Sequence, residues 1–222
     1  MDLLWDGDYS LHNMINALRA VRAVPAKSAL FLFVLLVSAA LSFAQDLALQ
    51  LDSAQTNVRF TLDAALHSVH GSFRVKEGSV VLTPASGKVS GEVVVDAKSG
   101  ETGNGMRDRK MHRDVLESNQ YSEILFRPDR VEGTVAPQGK SSVKVHGMFT
   151  IHGVDREIMV PADVEMAPDH WSAKLHFTIP YAKWGMKNPS TLFLRVSDSV
   201  EIEITAGGSL ARKTSAPESP GQ

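Results

Sequence analysis

Apolar and polar residues alternate along most of the chain between about residue 46 and residue 206. One clear run places small and apolar residues at every second position, namely Val69, Gly71, Phe73 and Val75. A period of two is typical of half-buried antiparallel strands, because successive side chains point to opposite faces of a sheet. Little helix is predicted that could cover these strands, so their apolar faces must bury against one another. The pattern predicts an all-β barrel or sandwich.

The strands predicted by this alternation follow one another at short intervals. They cover residues 47–51, 56–62, 69–76, 79–83, 88–96, 123–126 with 130–135, 142–151, 156–166, 171–179 and 199–205. Turn-forming residues such as Gly78 and the pair His152–Gly153 separate them. Short connections favour a meander, in which neighbours in sequence pair in space.

Two stretches depart from the alternation. Residues 105–117 carry Met111 and Val115 on one helical stripe with charges elsewhere, which predicts a short amphipathic helix inserted in the barrel. Residues 180–190 include Tyr181 and Trp184 and are too aromatic for a solvated loop. We expect this second stretch to pack over an opening of the barrel.

The N-terminal region has the pattern of a secretory signal peptide. Three basic residues, Arg19, Arg22 and Lys27, precede an uninterrupted apolar run over 29–41. Small residues then lead to a cleavage site after Ala44. The run is shorter than the roughly 20 residues of a membrane-spanning helix. We therefore interpret 1–44 as a signal peptide that exports the protein to the periplasm or medium, with Met1 or Met14 as the start; an uncleaved anchor is the alternative.

Composition narrows the function. The formal net charge is -2, which argues against a nucleic-acid-binding protein, and cysteine is absent, which excludes disulfides and thiol chemistry. Residues 45–207 form one predicted domain without a linker. Residues 208–222 are rich in Ser, Pro and Ala without an apolar rhythm, so we expect a disordered C-terminal tail.

No arrangement in the sequence indicates catalysis or metal binding. His146 and His152 share the polar face of one predicted strand but lie six residues apart, roughly 20 Å along an extended chain. Nucleophile motifs and inward-facing pairs of acidic residues are missing. We predict no catalytic residues and no metal; an enzyme remains an option only if polar-face histidines converge on a carboxylate.

The predicted helix is rich in positive charge. Its basic residues are Arg107, Arg109, Lys110, His112 and Arg113. Such a cluster could hold an anionic head group, because guanidinium groups match phosphate and carboxylate. The alternative is a solvated face with internal ion pairs, for example Lys110 with Asp114.

Three glycines fall on predicted inner faces: Gly71, Gly91 and Gly147. Each either leaves room inside the barrel or lets its strand bend, and both effects can coexist. A barrel of about eight strands is just wide enough to fill itself or to hold one slender ligand.

Several short motifs occur together in a specific order. They are Val58-Arg59-Phe60, His70-Gly71-Ser72-Phe73, Thr102-Gly103 before Arg107-Asp108, Tyr121 before Ile124-Leu125-Phe126, Gly147-Met148-Phe149-Thr150-Ile151-His152-Gly153, and Val196-Ser197-Asp198-Ser199. In this order and spacing, over residues 50–206, the chain resembles the YceI-like family of exported bacterial proteins. It departs from the usual family pattern at Gln55, at Tyr121-Ser122 and over 180–190.

The resemblance implies a lipocalin-like, extended antiparallel β-barrel whose apolar lumen holds a polyisoprenoid or similar amphiphilic chain lipid, in a periplasmic and often homodimeric protein. No cofactor is implied beyond a non-covalently bound isoprenoid or quinone-like lipid. Transport, storage and protection remain open as roles, and so does the choice among a quinone, a polyprenyl phosphate and a fatty acyl chain. Stable membrane insertion of the mature chain is not expected.

The leading hypothesis is a non-enzymatic lipid carrier. Its expected lumen residues are Phe60, Phe73, Met111, Phe126, Phe149, Trp171, Phe177 and Trp184. Arg107 and Arg113 are expected to meet the head group near the mouth. The alternative is a structural or stress-response barrel that is fully packed and acts through protein contacts on its outer surface.

Overall fold

Antiparallel strands joined in a single hydrogen-bonded sheet make up most of the molecule. The computed structural model describes residues 45–192 and 194–214. The strands of this described part are β1 Gln45–Leu51, β2 Asn57–Leu62, β3 Val69–Thr83, β4 Lys88–Glu101, β5 Glu123–Glu132, β6 Gly139–Ile151, β7 Val154–Met166, β8 His170–Ile179 and β9 Val200–Thr214. The predicted all-β class is confirmed.

The sheet closes into a ring. From β2 to β9 every strand pairs with the next. Strand β1 pairs with both β3 and β9. Strands β1 and β2 lie one after the other between β3 and β9, so they share one position in the ring. The nine described strands therefore occupy eight positions. This confirms the predicted meander and the barrel of about eight strands.

Two predicted strand breaks are wrong. The turn signal at Glu77 and Gly78 lies inside β3, where the register with β4 shifts between Val75 and Glu77. Pro128 likewise lies within β5, beside a register shift against β6. A β-bulge absorbs one extra residue and tolerates glycine or proline without ending the strand. Residues that resemble turn signals in the sequence therefore bend continuous strands.

The predicted disordered tail is wrong for residues 208–214. Strand β9 runs on to Thr214 and pairs with β1 over residues 208–214. A side chain at Gly208 would collide with the carbonyl group of Gln50, so glycine permits the close approach of β9 to β1. Small residues at these positions interrupt the alternation of apolar and polar residues, which resumes at the buried Leu210. Residues 215–222 and the predicted signal peptide 1–44 lie outside the described residues.

The predicted helical insert is present between β4 and β5. Helix α1 covers Gly105–Lys110 and continues as a π-helical turn over Met111–Val115. The side chain of Asn104 caps α1 by accepting hydrogen bonds from the backbone N–H groups of Met106 and Arg107. None of the helices in the described part of the chain has the length and apolarity needed to cross a bilayer.

Inward-facing apolar residues form two clusters along the barrel. The first apolar cluster lies at the helical end and has as its buried members Val58, Phe60, Val75, Ala97, Leu116, Ile124, Phe149, Ile151, Ile179, Tyr181, Met186 and Ile202. The second apolar cluster has as its buried members Leu47, Leu82, Val89, Met166 and Leu210. Along the strands, small residues separate the two clusters. We call the set Gly78, Ala162, Ala173 and Ala206 the waist.

Candidate functional site

All the predicted lumen residues except Trp171 belong to the first apolar cluster. Phe60 and Phe149 are among its buried members. The others pack against it while partly exposed: Phe73, Met111, Phe126, Phe177 and Trp184. Trp171 packs against the second apolar cluster, beyond the waist. The structure therefore brings most of the predicted set together and places Trp171 apart from it.

Aromatic rings line the first cluster from several strands. The ring centroids of Phe60 and Phe73 are 5.4 Å apart, and those of Phe149 and Trp184 are 6.0 Å apart. Both distances fall in the range for favourable aromatic pairs. The first pair joins β2 to β3. The second pair joins β6 to the segment that follows β8. Aromatic rings thus form part of the interior wall at this end, together with the aliphatic residues of the first cluster.

Several inward-facing aromatic residues are only partly buried. Phe73, Phe126 and Phe177 face inward yet keep part of their surface exposed. No large side chain in residues 45–192 and 194–214 is completely shielded from solvent. Protein cores are normally packed as densely as organic crystals, which leaves large central side chains without solvent contact. These aromatic residues therefore leave some apolar surface accessible on the inner face.

The three glycines do not create this space. The ring of Phe60 occupies the position next to Gly71, and a side chain at Gly147 would lie 2.5 Å from the carbonyl oxygen of Arg127. Gly91 is exposed, has a φ of 126° and abuts the backbone of Ser79. Glycine at these positions permits close packing or bending of strands. The glycines could either leave room inside the barrel or let their strands bend, and the structure favours bending and close approach.

The segment between β8 and β9, residues 180–199, is anchored in the first apolar cluster. We call it the aromatic loop. Tyr181 and Met186 are buried there, and the Tyr181 hydroxyl donates a hydrogen bond of 2.6 Å to the carbonyl oxygen of Ser197. Burial raises the pKa of Tyr181 to about 12, and the nearby Asp198 carboxylate acts in the same direction. The predicted aromatic excursion thus packs firmly against the barrel end.

The aromatic loop lies where two strands separate. Strands β7 and β8 are paired only between residues 162–166 and residues 171–175. The first half of β7 keeps its pairing with β6 but has no such pairing with β8 in the described residues. Arg156 bridges this region by donating a hydrogen bond of 3.2 Å to the carbonyl oxygen of Trp184. The aromatic loop therefore contacts β7 where β8 does not pair with it.

Arg156 is a site residue that the sequence interpretation missed. It lies directly opposite the buried Phe149 in the β6–β7 pairing, so its side chain shares the inner face. Its guanidinium lies 5.4 Å from the centre of the Trp184 ring. Its Nε atom is buried without a hydrogen-bond partner in the structure. Counting back by twos from the buried Val160 would have placed Arg156 on the apolar face.

The predicted head-group arginines already have partners in the protein. Arg107 donates hydrogen bonds to the hydroxyl and the carbonyl oxygen of Thr102, at 2.7 and 2.9 Å. Arg113 has an exposed side chain and forms two hydrogen bonds with the Asp114 carboxylate, which lower the pKa of Asp114. Lys110 donates to the carbonyl oxygen of Pro189. The helix therefore presents a solvated ion pair and a contact with the aromatic loop.

The histidines have separate local partners. His146 lies 2.7 Å from Asp129, and His152 lies 3.1 Å from Glu117. His112 contacts the Ser118 hydroxyl and the carbonyl oxygen of Gly100. Among the described residues, no group of three or more His, Asp or Glu side chains is arranged to hold a metal ion.

Two clefts are lined mainly by outward-facing side chains. One, of about 710 Å³, lies across β6, β7 and β8 and includes Lys144, Asp163 and Lys174. The other, of about 740 Å³, lies beside β2 and β3 and includes Arg59 and His70. Both clefts include charged side chains, unlike the two apolar clusters of the interior.

Comparison with known proteins agrees with this architecture. A family model described as YceI-like domain matches residues 49–207. A UPF0312 protein of Pseudomonas syringae pv. tomato is 25% identical over 191 residues, which cover 82% of this chain and 95% of that protein.

Two solved structures have a similar fold. BcnA of Burkholderia cenocepacia superposes with a TM-score of 0.58 at 18% identity, covering 71% of this chain and 99% of that chain. A polyisoprenoid-binding domain from Saccharophagus degradans, implicated in plant cell wall breakdown, gives a TM-score of 0.55 at 17% identity, covering 78% of this chain and all of that one. At these identities the similarity concerns the fold.

Proposed function

The chain belongs to the YceI-like family, and from this premise we propose that it binds an amphiphilic chain lipid, such as a polyisoprenoid, inside its barrel. The observation that carries the proposal is the set of inward-facing aromatics that remain partly exposed, which include Phe73, Phe126 and Phe177. An accessible apolar space inside a barrel of about eight strands suits a slender hydrocarbon chain. The family fold of a polyisoprenoid-binding domain supports this choice of ligand class.

Burial of the hydrocarbon chain supplies the affinity. Removing apolar surface from water is worth roughly 25 cal/mol per Å², or about 0.8 kcal/mol for each buried methylene group. Part of this gain offsets the loss of motional freedom when the ligand binds. Selectivity among chain lipids therefore arises from chain length and from whatever contacts the head group makes at the mouth.

In this proposal the protein is a carrier that has no catalytic residues, resident metal or cofactor. We propose that residues 1–44 direct export to the periplasm or medium, where such a carrier would shield an insoluble chain from water. A homodimer is a further expectation from the family resemblance. Transport, storage and protection all require the same event, which is reversible burial of one lipid chain.

Organic extraction and fluorescence together test the proposal. The full-length protein is purified, extracted with organic solvent, and the extract is examined by mass spectrometry for a stoichiometric chain lipid. Lipid-free protein is then titrated with a short-chain isoprenoid quinone, which quenches nearby tryptophans. Of the three tryptophans, Trp5 lies outside the described residues, Trp184 packs at the first cluster and Trp171 at the second.

Variants that retain a single tryptophan report where the ligand lies. In the Trp5→Phe, Trp171→Phe variant, only Trp184 remains, and we expect saturable quenching. Free N-acetyltryptophanamide at the same absorbance controls for non-specific quenching. An extract without chain lipid, together with quenching that never saturates, would contradict the carrier and favour a packed barrel that acts through its outer surface.

A further inference from the structure

Two polar side-chain atoms are buried without a partner in the described residues, and both belong to inward-facing residues. They are Nε of Arg156 and Nε1 of Trp171. Buried donors are nearly always hydrogen-bonded, and a charged one is the more expensive to leave unpaired. Arg156 therefore needs an explanation that the folded chain alone does not supply.

Arg156 carries a full positive charge at an apolar wall. Arginine stays protonated in proteins, and no carboxylate of the described residues lies within ion-pair distance of this guanidinium. Its neighbours are the Trp184 ring, the Trp184 carbonyl oxygen and, across the ladder, Phe149. One hydrogen bond and one cation–π contact hold the group in place but leave other donors of the guanidinium free.

We propose that Arg156 binds the anionic head group, phosphate or carboxylate, of the lipid whose chain lies in the first apolar cluster. Resting on the proposed carrier function, this assigns the ligand class as an anionic amphiphile. A guanidinium presents its donors in a planar fork that matches the oxygens of a phosphate or carboxylate. The indole of Trp184 fixes the orientation of that fork.

The position of Arg156 fits a head-group site at the edge of an apolar chain site. Its neighbours on the inner face of β7 are Ile158, which packs against the first apolar cluster, and then Val160 and the waist residue Ala162. In the other direction β7 begins at the exposed Val154. A ligand with its head at Arg156 would therefore extend its chain from the barrel mouth toward the waist.

The test uses ligands that share one farnesyl-type chain and differ in the head group: farnesyl phosphate, farnesoic acid and farnesol. Their dissociation constants are measured on the lipid-free, full-length protein by tryptophan quenching or calorimetry. We expect both anionic ligands to bind at least about tenfold more tightly than farnesol, the effect of one charged hydrogen-bond pair. Comparing phosphate with carboxylate identifies which of the two the site prefers.

Substitution then assigns the preference to one residue. In Arg156→Gln we expect the anionic ligands to fall to the affinity of farnesol, while farnesol itself changes less than about threefold. In Arg156→Lys part of the preference should remain, because lysine keeps the charge without the fork. Arg74→Gln is the matched control, since Arg74 is exposed on the outer face of β3. Urea unfolding verifies that each variant is folded.

The outcomes separate this inference from the carrier function. Equal binding of all three ligands by the wild type would overturn the role of Arg156 and leave the carrier standing. A preference for anions that survives in folded Arg156→Gln would also overturn it. If none of the three ligands binds, the carrier function itself fails.

Discussion

Aromatic residues on the inner face perform two different tasks. Phe60 is 6% exposed, and its ring fills the space beside Gly71 while it packs against Phe73. Phe177 faces the same interior but remains partly exposed. Burial stabilises in proportion to the apolar area removed from water. Phe60 therefore acts mainly in stability, while Phe177 has surface available for a ligand.

Substituting these two residues should separate the tasks. Phe60→Ala is expected to lower the free energy of unfolding by about 3–5 kcal/mol, because it empties a packed position. Phe177→Ala should cost less, about 1–2 kcal/mol, but weaken binding of a prenyl lipid by about fivefold or more. Urea unfolding and ligand titration measure the two effects. Equal losses of stability would mean that Phe177 is packed as tightly as Phe60.

The aromatic loop depends on local anchors because it lacks regular secondary structure. Two hydrogen bonds within the loop run from Tyr181 to Ser197 and from Asn188 to Asp198. Tyr181 and Met186 also bury their side chains in the first apolar cluster. These anchors hold Trp184 against Phe149 and Arg156. The geometry of the proposed head-group site thus depends on the loop being in place.

Tyr181 gives the loop a predictable response to alkaline pH. Its folded-state pKa is raised from 10 to about 12, so the stability it contributes is complete below about pH 10 and is lost as pH rises toward 12. Tyr181→Phe removes the hydrogen bond to Ser197 and should cost about 1 kcal/mol at neutral pH. The difference between variant and wild type should shrink as tyrosinate forms.

Urea unfolding of both proteins at neutral pH and near pH 11 measures this difference. Absorbance of tyrosinate follows the titration directly, and the component with the highest pKa should be missing in the variant. Trp184 fluorescence shows whether the loop detaches over the same range. A difference in stability that stays constant across the range would refute the assignment of the raised pKa to Tyr181.

At the scale of the whole molecule, the two apolar clusters lie on either side of the waist. Ala173 and Ala206 lie opposite each other on β8 and β9, with Ala162 on β7. Small side chains at this level leave room that larger ones would occupy. A chain that passes the waist would reach the second apolar cluster and Trp171.

Chain-length dependence tests this continuity. In the wild type, affinity for prenyl alcohols should rise with chain length, by about fourfold for each additional buried methylene. Ala173→Leu should remove the advantage of the longer chains and leave a chain confined to the first cluster unchanged. The control is Ser172→Leu, because Ser172 is exposed on the outer face of the same strand. Equal weakening of short and long chains by Ala173→Leu would contradict a passage at the waist.

The alternation of apolar and polar residues was sufficient to predict the class of fold, most strand positions and the inward orientation of Phe60, Phe149 and Phe177. It could do so because side-chain direction in a strand depends only on position along the chain. Bulges were not predictable in this way. Gly78 and Pro128 resemble turn signals, and only pairing with a neighbouring strand determines whether such residues end a strand or bend it.

The sequence by itself determined the barrel, its apolar lining and the family, since these follow from periodicity and from ordered motifs. Only the tertiary structure decided which basic residue faces the barrel interior. Arg107 and Arg113 were the more conspicuous in the sequence, yet they bond to Thr102 and Asp114. Arg156 lies among the apolar residues of one strand, and its importance depends on Trp184 and on the separation of β7 from β8. The physical reason is that electrostatic partners are chosen by proximity in space, which local patterns do not encode.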